Sequence, residues 1–408
     1  MLRSMFSAIS GLRGHQVMMD VIGNNIANVN TVGFKSGRVN FQDILSQTYR
    51  GASAPQGGLG SMNPAQVGLG MTVAGIDVLQ TQGNLQSTGR LTDMAIQGDG
   101  FFVLSDGSRQ FFTRDGAFDI GLGGQMVNSA SGLKVQGWVA TSGGTVDTTT
   151  SVTDVIIPIG TRTTALPTSA ASVTGNLNAS AAVGTTTSTT VNVYDSLGVR
   201  HSVKLTFEKT ANNTWDWTAD GDVADGASTL SAGSITFGAD GTYASSTGGT
   251  VSLTLGNGAT SPQAIPLTLT DMTQYQGTSA LNASSDGFSS GALVTFTIGS
   301  AGDITGVFSN GQTQLLGQIA MGAFVNPGGL LRQGQNLFGV SSASGDASIG
   351  MPGAGGRGTV TTGSLEMSNV DLATQFTGMI TAQRGFQANG RVITTSDEML
   401  QELVNLKR

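Results

Sequence analysis

Residues 365–404 read LEMSNVDLATQFTGMITAQRGFQANGRVITTSDEMLQELV, and within them Leu365, Leu372, Met379, Phe386, Ile393 and Leu400 recur every seven residues. Phe376 and Val404 fill neighbouring positions. A seven-residue apolar repeat is the seam of a helix that packs against another helix. Ser368 followed by Asp371 predicts an N-cap with an acidic first turn, and Thr395 with Glu398 would recap the chain if Gly390 breaks it. The opposite end carries a matching signal. Leu2, Met5, Ile9, Leu12, Gln16, Met19, Ile22, Ile26 and Val29 alternate steps of three and four, polar Gln16 being the exception, before Asn28, Asn30 and Gly33 stop the helix near residue 30.

Each stripe needs a partner, because an isolated helix with one wet apolar face is marginal in water. Two arrangements satisfy both. The ends pair with each other inside one chain, as an antiparallel coiled coil on a β body; or they stay mobile in the single chain and fold when many copies pack side by side. Ala8, Gly11, Gly14, Ala382 and Gly390 would permit close helix approach in the crowded bundle of the second arrangement. The residues expected to carry self-assembly are Leu2, Met5, Ile9, Leu12, Met19, Ile26, Leu365, Leu372, Phe376, Met379, Phe386, Ile393, Leu400 and Val404.

Between the ends the pattern changes to short, alternating or β-branched runs bounded by Gly, Asn and Asp: Phe101–Leu104, Val191–Tyr194, Val203–Phe207, Val251–Leu255 and Leu293–Ile298. These predict antiparallel strands and hairpins. The fold class is therefore α+β and multidomain, a mainly β body of antiparallel sheets or barrel-like domains with long terminal α-helices. Residues 141–190 hold sixteen Thr, six Ser and three charges, which predicts long loops and edge strands in water. Residues 47–70 have Gly and Pro but no period, and read as a linker or extended arm. No repeat of solenoid length stands out.

Composition excludes several functions. The 408 residues carry a net charge of −7, only 11% charged residues, 61 Gly and no Cys. Five lysines and fourteen scattered arginines make no basic stripe, so nucleic-acid binding is not expected. With no Cys and only His15 and His201, Cys/His zinc sites, cysteine nucleophiles and most histidine-based triads are ruled out. No apolar run approaches a membrane span, and the N-terminus lacks the long apolar core of a signal peptide, Arg13 interrupting it. Gly353-Ala-Gly-Gly-Arg-Gly358 has the letters of a dinucleotide loop, but Thr-Val-Thr-Thr-Gly follows it rather than a helix, so it reads as a connector. Asp220-Gly-Asp-Val-Ala-Asp-Gly226 departs from calcium-loop spacing and reads as a solvated turn; Asp106, Asp115 and Asp119 read as turn residues, and His15 as part of a polar helix face. No catalytic residue, metal ligand or cofactor is expected.

The segment Asp20-Val-Ile-Gly-Asn-Asn-Ile-Ala-Asn-Val-Asn-Thr-Val-Gly-Phe-Lys-Ser36 resembles the N-terminal signature of bacterial flagellar rod and hook proteins, and Leu365-Glu-Met-Ser-Asn-Val-Asp-Leu372 with Met379-Ile-Thr-Ala-Gln-Arg384 and Leu403-Val-Asn-Leu406 resembles the C-terminal signature of the same axial family. The matching positions are Asn24, Asn25, Ile26, Ala27, Asn28, Gly33, Phe34, Lys35, Asn369, Val370 and Asp371. Gly89–Ile96 with Gly100–Phe102, Val193–Gly198 and Leu316–Ala320 are similar to the hook members of that family, while the Gly-rich arm after Ser46 looks more like the distal rod subunit. The resemblance implies a homopolymeric tube, exported unfolded through the flagellar type III apparatus without a cleaved signal peptide. Its implied partners are a distal rod protein, a hook cap, a hook–filament junction protein and a hook-length control protein, with no nucleic acid and no membrane insertion. It further implies that 1–46 with 363–408 form an inner helical domain, 71–144 with 285–362 an inner β domain, and 145–284 an outer one, with 47–70 as the arm. Sliding contacts between sparsely charged β surfaces would let such a tube bend. A distal rod subunit and a secreted β-rich adhesin are the alternatives, followed by a polar-surface hydrolase.

Overall fold

The structure is a computed structural model that describes residues 2–52, 54–55, 61–141, 144–160, 162–221, 228–229 and 231–405. Helix α1 spans Leu2–Ala27 and helix α2 spans Leu372–Asn405. The Asn28 amide still reaches the Asn24 and Asn25 carbonyls at 3.2 Å, after which the chain turns away. Gly33 sits at φ 68°, and a Cβ there would fall 2.7 Å from the Asp115 amide nitrogen, so both backbone and space require glycine.

The cap of α2 lies three residues later than the expected Ser368. Asp371 accepts the Ala373 amide at 2.9 Å and the Thr374 hydroxyl at 2.7 Å. Leu365 consequently falls outside the helix. It lies in a strand, Ser364–Glu366, opposite Gln86 of Leu85–Ser87; the seven-residue period runs past the cap because a strand residue can occupy the next apolar position by chance. Gly390 does not break α2, and Thr395 Oγ1 donates back to the Arg391 carbonyl at 2.9 Å instead of starting a new helix.

The two helices pair antiparallel. Ser4 and Ser396 hydroxyls lie 3.5 Å apart near one end, and Asn25 Nδ2 donates to Gln375 Oε1 at 3.0 Å near the other. Between them Gly11 faces Asn389, Gly385 faces His15 and Gly378 faces Ile22. Ala8, Ile22, Ala382 and Ser396 are buried. The seam is thus built mainly of small and polar side chains, with Ile22 against Gly378, while the heptad residues Leu372 and Phe386 stay exposed. His15, expected on a polar face, is half-buried between Gly385 and Phe41, whose ring centroid is 6.2 Å away.

Two compact units divide the chain: Met1–Ile157 with Thr297–Thr305 and Leu315–Arg408, and Pro158–Phe296 with Gly306–Gln314. In the first, Gly37–Asp43 pairs antiparallel with Met71–Val78, and Ser46–Arg50 with Ala65–Gly68. The stretch read as an aperiodic arm is therefore partly a two-stranded ribbon. Every residue of its two strands is exposed, so no face is buried and no alternation exists to be read. Beyond it, a sheet containing Phe101–Ser105, Gln110–Thr113, Lys134–Val139 and Leu337–Gly339 packs Phe101, Phe112, Trp138, Leu330 and Phe338 into one core. Strands Thr359–Thr362 and Ser364–Glu366 return antiparallel to Met94–Gln97 and Leu85–Ser87. The Gly353–Gly358 loop closes on itself, its Gly353 amide bonding the Gly358 carbonyl at 2.9 Å, and leads into a strand.

The second unit has two sheets around one apolar cluster that includes Val173, Phe207, Trp215, Trp217, Leu253 and Ile265. Its long hairpins, Thr186–Tyr194, Arg200–Ala211 and Thr214–Gly221, alternate buried and exposed residues as antiparallel strands with one wet face do. Two details differ from the expectation. Ala171–Asn176, inside the Thr/Ser-rich stretch, is not a loop or edge but an interior strand with Ala171 and Val173 buried. It also pairs parallel with Gln263–Thr268 and Met272–Thr273, so the sheets are not purely antiparallel. Of the carboxylate-rich turn, residues 222–226 lie outside the described residues.

Candidate assembly surface

The residues that leave α1 are fixed first. Lys35 is 1% exposed and its Nζ donates to Glu366 Oε1 at 2.7 Å and to the Thr81 carbonyl at 2.8 Å. Arg114 Nη1 donates to Glu366 Oε2 at 3.3 Å, and the Gly83 amide to Oε1 at 2.8 Å. One fully buried carboxylate thereby joins the segment after α1, the body and the strand before α2. Burial pushes the Lys35 ammonium and the Arg114 guanidinium below their ordinary pKa values, with Glu366 opposing the shift in both. Arg332 closes the back: its guanidinium donates to the Lys35 carbonyl and lies 5.2 Å over the Phe34 ring.

Two asparagines do the same work with neutral groups. Asn369 accepts the Ser36 amide at 2.8 Å and donates to the carbonyls of Leu79 and Thr81 at 2.8 and 3.1 Å. Asn25 accepts the Gly37 amide at 2.9 Å and donates to the Gly37 carbonyl at 2.8 Å and to Gln375. An amide side chain can bracket a peptide unit in this way because it is donor and acceptor at once. Among the other signature positions, Gly33 and Phe34 are buried, Asn28 donates to the Asn24 carbonyl, Asp371 caps α2, Ile26 and Val370 are half-buried, and Ala27 is exposed. The signature thus builds the joint between helices and body. Arg114, Arg332, Gly83 and Glu366 complete it and were not singled out from sequence; of these only Glu366 lay inside a matching segment.

The expected self-assembly residues flank the helical seam. Ile9, Leu372, Phe376, Phe386 and Val404 are exposed, Met5, Leu12, Met19, Ile26, Met379, Ile393 and Leu400 are half-buried, and Leu365 is half-buried in its strand; the Leu2 side chain is outside the described residues. To them the structure adds Phe6, Ile380, Val392, Met399 and Leu403, exposed and off the periodic stripe. Phe6 is 67%, Ile380 58% and Val404 71% exposed. A helix pair whose seam is already formed still presents large apolar side chains to water. Among the described residues no group of three His, Asp or Glu is placed to hold a metal, and no helix is long and apolar enough to cross a membrane.

Family models match at residues 5–35 (flagella basal body rod protein), 95–174 (flagellar hook protein FlgE/F/G D1 domain), 161–288 (flagellar basal body protein FlaE D2 domain) and 361–406 (flagellar basal body rod FlgEFG protein C-terminal). The flagellar hook protein FlgE of Treponema pallidum is 40% identical, the match covering all of both chains, and that of Salmonella typhimurium is 38% identical over 99% of this chain and all of its own. The chain belongs to the flagellar hook protein family. It is a structural subunit of the hook and a component of the flagellum. The flagellar basal-body rod protein FlgG of Bacillus subtilis is also similar, 33% identical over all of both chains. The crystal structure of Helicobacter pylori hook protein FlgE2 shares the fold, with a TM-score of 0.55 at 14% identity over 70% of this chain and 99% of its own.

Proposed function

We propose that copies of this chain assemble through their paired terminal helices into a hollow, flexible tube, the universal joint through which motor torque passes from rod to filament. The observation that carries this reading is the exposed apolar surface on a helix pair whose own seam is already filled. Burying such side chains against neighbours contributes about 1.5 to 3 kcal/mol each. The helical domain formed by 1–46 and 363–408 would line the tube, 71–144 with 285–362 would surround it, and 145–284 would project outward, with 47–70 as an arm between layers. The sparsely charged hydroxyl surface of the outer sheets would let neighbouring β domains slide, while the inner helices hold the lattice.

On this reading the chain has no enzymatic role. It is exported unfolded by the flagellar type III apparatus, and it meets a distal rod protein, a hook cap, a hook–filament junction protein and a hook-length control protein. Electron microscopy of the purified full chain tests it: curved tubes are expected, and their loss when Phe376 and Ile380 are both replaced by Ser. Straight tubes would favour a distal rod subunit instead, a reading that the whole-length likeness to a rod protein keeps in play. Persistent monomers at every concentration would overturn both.

A further inference from the structure

The side of α2 opposite its seam with α1 carries a segregated line of charge. At about 100° per residue, Arg384, Arg391, Glu398 and Glu402 all fall within roughly 20° of the direction facing away from Ala382, which is buried. All four are exposed. Among the described residues none has an ion-pair partner within the chain. The cations occupy the middle of the helix and the carboxylates its last turns. Ile380 lies on the same line, and Met399, Val392 and Leu403 are turned about 80° to 120° from it on one flank; each of the four is at least 40% exposed.

Resting on the tube reading above, we propose that this line sets how neighbouring copies meet: α2 of a second copy of this chain lies parallel to the first, shifted along its axis so that Glu398 and Glu402 of one copy stand beside Arg384 and Arg391 of the next. The spacing from Arg384 to Glu398 corresponds to a shift of about 21 Å at 1.5 Å per residue. Opposite charges then pair while Ile380, on the same line, is covered with them. Zero shift would set Arg against Arg and Glu against Glu. Because the acidic and basic ends of the line differ, each copy presents one to the copy ahead and the other to the copy behind. Such a heterologous contact propagates without closing, as a tube requires. An antiparallel arrangement would also pair the charges, but by a two-fold contact that closes at a dimer.

The test compares the wild-type chain with R384E/R391E, E398K/E402K and the four-fold charge swap, leaving Lys407 and Arg408 unchanged. Because every substitution is on the exposed side, circular dichroism of the monomers should not change. Each double variant should raise the concentration needed for polymerisation about tenfold at low salt, less at high salt, and the four-fold swap should return it to near the wild-type value. The chain has no Cys, so R384C/E398C provides a second readout. Oxidised in the polymer it should give a ladder of covalent oligomers, whereas residues fourteen apart in one helix are too distant to bond with each other. Double variants that polymerise like the wild type, a swap that restores nothing, or the absence of a ladder would overturn the proposal. A wild-type chain that never polymerises would instead overturn the tube reading beneath it.

Discussion

Lys35 Nζ lies 2.7 Å from Glu366 Oε1 although 331 residues separate them, and both side chains are at most 1% exposed. Arg114 shares the same carboxylate from the other side. A buried ion pair is not by itself strong evidence for stability, since desolvation offsets much of the attraction, but removal of one member leaves an uncompensated charge. Here the members are unequal. Glu366 is the carboxylate bonded to both cations, with Asp99 acting on them only at longer range, so its loss removes the ion-pair partner of both, whereas loss of Lys35 leaves Glu366 with Arg114 and the Gly83 amide.

Glu366→Gln should therefore destabilise the monomer by about 3 to 5 kcal/mol, and Lys35→Met by distinctly less. Urea denaturation followed by far-UV circular dichroism measures both. Equal midpoints for the two variants would show that the carboxylate does not hold the joint.

Two glycines of α2 should respond in opposite directions to the same substitution. A Cβ at Gly385 would fall 2.4 Å from the His15 ring, whereas nothing lies within 4 Å of one at Gly390. Gly385→Ala should cost about 1 to 3 kcal/mol by forcing the helices apart, and Gly390→Ala should stabilise by about 0.5 to 1 kcal/mol through helix propensity. Thermal melts of the monomer distinguish them; a stabilised Gly385→Ala would refute the close antiparallel seam.

Asn369→Ala removes the side chain that brackets Ser36, Leu79 and Thr81. The Thr81 carbonyl keeps its bond from Lys35, but the buried Ser36 amide and the half-buried Leu79 carbonyl lose their partner, and a loss of about 1 to 3 kcal/mol is expected. Hydrogen exchange should localise the change to residues 33–37 and 79–83, and protection unchanged there would argue against this bracket.

The second unit should respond to acid through Asp195. Burial disfavours its ionised form, yet hydrogen bonds from Asn257 at 2.6 Å, from His201 at 3.1 Å and from the amides of Val199 and Leu197 overcome this and hold the carboxyl below its ordinary range. A folded pKa below the unfolded one means that the stabilisation is complete above the unfolded value and disappears as pH falls through the folded one. Asn257→Ala should thus move the acid unfolding midpoint of this unit upward. Trp215 and Trp217, buried in its core, report it by fluorescence; an unmoved midpoint would remove Asp195 from the account.

Much of this molecule follows from local pattern. Both terminal helices, the strands at Phe101, Val191, Val203, Val251 and Leu293, and the likeness of both ends to axial proteins were legible because period and motif are properties of neighbouring residues. Which side of each helix turns inward was legible only in part: of the small residues singled out, Ala8 and Ala382 are buried and Gly11 faces Asn389, but Gly14 faces Met71 and Phe41 and Gly390 faces nothing. Apolar period reports greasiness, but two antiparallel helices that approach closely need small side chains between them, so Ala8, Gly11, Ala382 and Gly385 took the seam while Phe376 and Phe386 were left outside. The ion cluster of Lys35, Arg114 and Glu366 was equally silent, because its members gain meaning only when three distant stretches of chain exclude water from one point. Tertiary packing alone decided these matters, since steric approach and desolvation depend on what lies across space.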